Sequence, residues 1–232
     1  MAYYNGYSSG GGFLSQMPPV TKNIVLINLF MFVATLINQD FMIGTFALFF
    51  PTSPLFRWWQ PVTHMFMHGG FWHIFFNMYT LVMFGMVLER AIGSKKFLTF
   101  YAITGLGAAA LFTLVQWIEA ASWMNAASSA AAAQYYALLR TPMLGASGAI
   151  YGVLIGFAMM YPDSRMMLLF PPVELSAKWM VIIFIAIELL TGVTGTAVGV
   201  AHFAHLGGAL FGWLLMLWWK KTGRIWNTDS WI

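Results

Sequence analysis

Residues 141–161 read TPMLGASGAIYGVLIGFAMMY, with no charged residue between Arg140 and Asp163. The run has the roughly 20 residues that a helix needs to cross a bilayer. Gly148, Gly152 and Gly156 recur along it at four-residue spacing, so they share one helical face. A small-residue stripe of this kind lets a second helix approach at backbone distance. The stretch therefore predicts a membrane-spanning helix packed closely on a neighbour, with Ser147 one turn from its start. A serine there is either a packing residue or a nucleophile, and the rest of the chain has to decide between them.

The whole chain is built in the same way. Its 232 residues are 60% hydrophobic and 8% charged, with mean hydropathy +0.73. Soluble domains carry about 25% charged residues, so the expected fold is an all-α polytopic bundle of six transmembrane helices. The spans are expected at 23–38, 71–88, 97–118, 143–161, 179–193 and 198–219. Residues 1–20 read as a flexible tail, 21–221 as the membrane domain and 222–232 as a C-terminal tail. There is no cysteine, which excludes disulfides, thiolate metal sites and a cysteine nucleophile. The net charge of +4 would suggest nucleic acid in a soluble protein. Here the expected partners are the lipid bilayer and membrane proteins, not nucleic acid.

Charge sets the orientation. With a cytoplasmic N-terminus, nine of the eleven Lys and Arg residues fall inside, and only Arg57 and Arg140 fall outside. Both termini are then cytoplasmic, and spans two, four and six all start at the outer face. The connection 39–70, rich in Phe, Trp and Pro, reads as a membrane-embedded loop between helices 1 and 2. Residues 119–140 read as a short surface helix or a loose loop with no assigned chemistry.

Polar residues inside a bilayer are costly and mark function. All five histidines, His64, His68, His73, His202 and His205, lie toward the outer ends of the spans. His73 and Asn77 share a face of span two, Ser147 lies near the start of span four, and His205 about two turns into span six. Gly208 and Gly212 on span six mirror the stripe on span four. Packing stripe against stripe brings a hydroxyl and an imidazole within reach, as a serine nucleophile and its general base require. His73 and Asn77 can donate to a developing oxyanion, and Tyr151 can pack on His205. No carboxylate lies in this layer of spans two, four and six, so the expected unit is a Ser–His dyad. Glu188 on span five is expected to hydrogen-bond within the bundle, and His64 and His68 to bond loop backbone.

The motifs GASGxxYG (145–152), HxxxN (73–77) and AHxxGxxxG (204–212) together resemble the rhomboid family of intramembrane serine proteases, over about residues 20–220. The resemblance implies a peptide hydrolase that cuts transmembrane protein substrates without cofactor or metal. It implies Ser147 as nucleophile and His205 as base. His73, Asn77, Gly145 and the Ser147 amide would form the oxyanion hole, with Tyr151 as buttress. Gly148, Gly208 and Gly212 would be the supporting helix contacts, and Glu89 a structural acid. The family's Trp-Arg pair is Trp59-Gln60 here. The implied location is a bacterial cytoplasmic (inner) membrane, with the site opening outward. The alternatives are a non-catalytic relative that binds membrane proteins, and a His-rich metal site, for which His64/His68 and His202/His205 have helical ligand spacing. A transporter is disfavoured, because the polar cluster sits at one face and not at the midplane.

Overall fold

A computed structural model describes residues 12–126, 128–167, 172–194 and 199–225. Most of the two expected tails, 1–20 and 222–232, lies outside the described residues. The long helices are Pro19–Ile37, Phe71–Ile92, Ser94–Asn125, Ser147–Met160, Ala177–Thr194 and Gly199–Lys221; they are called spans one to six. Five are long and apolar enough to cross a membrane, and the 14-residue span four is shorter. The protein is thus a multi-pass helical membrane bundle.

Spans three, four and six form the densest part of the bundle, and glycine is the reason. A Cβ on Gly208 would lie 1.8 Å from the Gly148 carbonyl oxygen, and one on Gly212 would lie 2.9 Å from Gly152 Cα. Span three closes the other side, since a Cβ on Gly152 would lie 2.5 Å from Thr104 Cβ and one on Gly148 2.4 Å from Ala108 Cβ. Lipid supplies no hydrophobic drive for helices to associate, so this close van der Waals packing holds the seam. Spans one, two and five pack around it.

Three features of the chain path differ from expectation. Span four starts at Ser147 and not at Met143, because Met143 pairs its backbone with Leu48 in an isolated antiparallel bridge. The chain then turns through Gly145 at φ +129°, a conformation that side-chain-bearing residues rarely adopt. At about 1.5 Å per residue, the 14-residue span four falls short of a hydrocarbon core of about 30 Å. Span three continues to Asn125, and a helix over Ser129–Leu138 follows it. Residues 119–138 are therefore mostly helical, and neither a loose loop nor a single short helix. Between spans four and five, β1 (Arg165–Met167) pairs antiparallel with β2 (Glu174–Ser176) in a small hairpin that the hydropathy pattern does not show.

Two polar anchors organise the remainder. Glu89 is buried and accepts from Val20 N (3.0 Å), Thr21 N (2.7 Å), Thr21 Oγ1 (2.7 Å) and Ser94 Oγ (2.7 Å). It thereby joins the start of span one to the junction of spans two and three. Gln60, fully buried, ties the loop between spans one and two. Its Oε1 accepts from Phe49 N and Arg57 N, and its Nε2 donates to Leu55 O. Beside it Trp59 Nε1 donates to Thr45 O at 2.9 Å. A neutral amide fills this position because every partner it meets is backbone.

Candidate functional site

The starts of spans two, four and six converge at one place. Ser147 Oγ and His205 Nε2 are 2.8 Å apart. Ser147 is the first residue of span four, and no side chain caps that end, so its first backbone N–H groups lack helical acceptors. The Tyr151 ring lies flat on the His205 imidazole, with centroids 4.5 Å apart and planes 7° apart. That stacking fixes the plane of the imidazole.

His73 approaches from span two. A Cβ placed on Gly145 would lie 2.9 Å from His73 Nε2 and 3.6 Å from Ser147 Oγ. The glycine thus leaves open a small space between the imidazole of span two and the hydroxyl of span four. Asn77, one turn below, is buried, and its Nδ2 donates to His73 O at 2.9 Å. That bond steadies the turn carrying His73. His68 packs edge-on against the His73 ring at 4.9 Å.

His64 and His68 are buried to about 1% exposure. Each ring lies near loop backbone, that of Pro61 or Phe66, but no ring nitrogen of either has a partner at full hydrogen-bond geometry. Their expected backbone bonds are therefore loose contacts at best. Burial pushes His64 down to about 4 and His68 down to about 3, so both are neutral near pH 7.

The expectation that no carboxylate accompanies the histidine fails. Spans two, four and six carry none there, but span five delivers Glu188, whose Oε1 is 3.0 Å from His205 Nδ1. Tyr151 Oη donates to the same oxygen. Glu188 Oε2 is 2.5 Å from His202 Nδ1, which is 3.1 Å from Thr191 Oγ1. The signal available in the sequence was the burial cost of an acid in a span; the identity of its partner was not. Glu188, His202 and His205 bring their side-chain donors within 4.8 Å of one another. They do so at hydrogen-bonding separations, as a network of carboxylate and imidazoles.

Two cavities meet at Ser147. One, of about 430 Å³, lies between spans two, four and five and includes Trp72, His73, Asn77 and Tyr151. The other, of about 470 Å³, runs on the opposite side under the extension of span three and the 129–138 helix. Gln116, Glu119 and Leu138 are among its lining residues. The segment 119–140, to which the sequence assigned no chemistry, thus walls one side of the site.

A family model, the Rhomboid domain, matches residues 55–221. The chain belongs to the rhomboid family. Rhomboid protease AarA of Providencia stuartii is 30% identical over 170 residues, covering 69% of this chain and 55% of that protein. Rhomboid protein 1, mitochondrial, of Saccharomyces cerevisiae is 31% identical over 65% of this chain and 40% of its own length. Rhomboid-like protein 11, chloroplastic, of Arabidopsis thaliana is 30% identical over 83% and 64%. This rhomboid therefore spans about half the length of the curated relatives it matches. The family includes serine intramembrane proteases, and the relatives come from bacterial, mitochondrial and chloroplast settings.

Proposed function

We propose that this rhomboid is an intramembrane serine endopeptidase that hydrolyses peptide bonds in or near the transmembrane segments of other membrane proteins. The 2.8 Å approach of Ser147 Oγ to His205 Nε2 is the observation that carries the reading. The hydroxyl proton passes to Nε2 as Oγ bonds to the scissile carbonyl carbon. The carbonyl oxygen becomes an oxyanion in the space left by Gly145. His73 and the Ser147 amide donate to it there, with Asn77 lining and steadying the pocket. Collapse breaks the C–N bond, and the imidazolium returns its proton to the departing amine. Water then adds to the acyl-enzyme with His205 again as base, which frees the acid and restores the serine.

A substrate helix must unwind locally first, since its peptide groups are internally paired in lipid. The groove between spans two and five is the proposed entry, and small residues are the proposed cleavage point. Both termini are assigned to the cytoplasm and the site to the outer side on the distribution of Lys and Arg, and the membrane proposed is a bacterial cytoplasmic one, on the similarity to the Providencia protease. The proposed chemistry draws on side chains, the Ser147 backbone amide and water.

The test pairs Ser147→Ala and His205→Ala with wild type, cutting a model transmembrane substrate in detergent, alongside fluorophosphonate labelling. Wild type should cut and be labelled at Ser147, and both variants should be inert. Labelling at another serine, or cleavage by either variant, refutes the proposal.

A further inference from the structure

We infer that Glu188 is a positioning residue for His205 and that His202 in turn holds Glu188, so the site is a chain of four side chains and not a pair. The inference rests on the protease reading above.

Burying a carboxylate within a span is costly unless donors surround it. Glu188 is 8% exposed, and its partners are Tyr151 Oη, His202 Nδ1 and His205 Nδ1. All three belong to the layer around Ser147. Mere adhesion between spans five and six would not need an acid, as the glycine seam between spans four and six demonstrates.

The geometry has a defined consequence for the imidazole. A negative charge 3.0 Å from Nδ1 favours the tautomer with its proton on Nδ1. Nε2 is then left with a lone pair, 2.8 Å from the Ser147 hydroxyl. The same charge stabilises the imidazolium formed when Nε2 takes that proton. The carboxylate lies off the ring's N–H axis, since Nδ1 has no partner at full hydrogen-bond geometry. Its action is therefore mainly through charge, while the Tyr151 ring supplies the orientation. Glu188 also binds the Tyr151 hydroxyl, so one carboxylate supplies charge to the working ring and holds the ring stacked on it. His202 occupies the second oxygen and stops the carboxylate from turning away. The other titratable groups facing His205 are His73 from span two, Tyr151 from span four and His202 one turn away on its own helix. Glu119, on the extension of span three, lines the cavity that Ser147 and His205 also line; among the described residues Glu188 is the carboxylate in contact with His205.

The experiment uses the full chain in phosphatidylethanolamine–phosphatidylglycerol proteoliposomes with a model transmembrane substrate. Glu188→Gln, nearly the same shape without the charge, should lower kcat roughly 10- to 100-fold and leave KM within about twofold. Fluorophosphonate labelling of Ser147 should slow in parallel, and Glu188→Asp should recover part of the rate. Wild-type kcat in Glu188→Gln would overturn the assignment, as would a loss of rate that only tracks a lower thermal midpoint or that Glu188→Asp leaves unrecovered. If Glu188→Gln does not fold, His202→Gln decides. It should cost kcat about three- to tenfold at unchanged KM, and an unchanged kcat overturns the assignment. A wild type that neither cuts nor labels sinks the protease reading itself. A wild type that does both, beside an unaltered Glu188→Gln, sinks the role of Glu188 alone.

Discussion

Two buried carboxylates sit some 20 Å apart along the bundle axis by helical rise, and their surroundings differ in kind. Glu89 is held by two backbone amides and two hydroxyls. None of these changes charge, and the two amides cannot move without unwinding the start of span one. Glu188 is held by side chains alone, and two of its three partners are imidazoles. The cost of burying the acid is similar in both places, but the return differs. Backbone donors make Glu89 a fastener that sets where spans one, two and three meet. Titratable side-chain donors make Glu188 a group whose charge reaches the atoms at Ser147. A buried acid in a span is thus read by what donates to it, more than by its depth.

The strongest way to break this comparison is to remove the fastener. Glu89→Ala leaves two amides and two hydroxyls without their acceptor and should lower unfolding free energy by on the order of 4 kcal/mol. Denaturation in mixed micelles reads that loss. The turnover of the molecules that remain folded should stay within about twofold of wild type, and a tenfold drop per folded molecule would give Glu89 a part in the chemistry.

A second prediction disturbs the Glu188 end without touching its charge. In Gly208→Ala the new methyl meets the Gly148 carbonyl oxygen, which is rigid backbone, so span six must shift away from span four. Gly148 adjoins Ser147 and Gly208 lies one turn beyond His205, so the shift acts directly on the 2.8 Å contact. A displacement near 1 Å should cost about 100-fold in kcat/KM. The Glu89 set at the other end should be untouched, which hydrogen exchange at Val20 and Thr21 can check.

The third and smallest effect sharpens the comparison with a group that is buried like Glu89 but titratable like the partners of Glu188. Burial holds His64 at about 4 in the folded protein, against about 6.5 unfolded. Below pH 6.5 the unfolded chain binds the extra proton, so the stabilising contribution is complete above that value and is lost as pH falls toward 4. The loss should reach roughly 2 kcal/mol by pH 5, and His64→Gln should flatten this slope. A stability profile with the same slope in both proteins would show that the first loop opens to water before the bundle unfolds.

Much of this could be read before any coordinates. Hydropathy located six spans, and the four-residue glycine spacing identified spans four and six as neighbours. The polar outliers Ser147, His205, His73 and Asn77 stood out because each costs energy in a bilayer. Span five was the gap. Its face is apolar around Glu188 with no comparable stripe, so nothing in the periodicity set its rotation, and the acid had no visible partner. The loop was equally opaque, because the bonds of Gln60 run to backbone groups up to 16 residues away in a segment with no repeating period.

Composition, spacing and charge bias thus determined the class of the molecule, the number of long helices among the described residues and the tightest of their contacts. These features depend on local chemistry: transfer to lipid, helical geometry and the absence of a Cβ. Tertiary structure alone decided that Glu188 meets His205, that Gly145 leaves room between His73 and Ser147, and that the 119–138 segment walls the site. Those outcomes depend on how helices rotate and tilt about one another, which is set by the sum of many weak packing contacts and by no single motif.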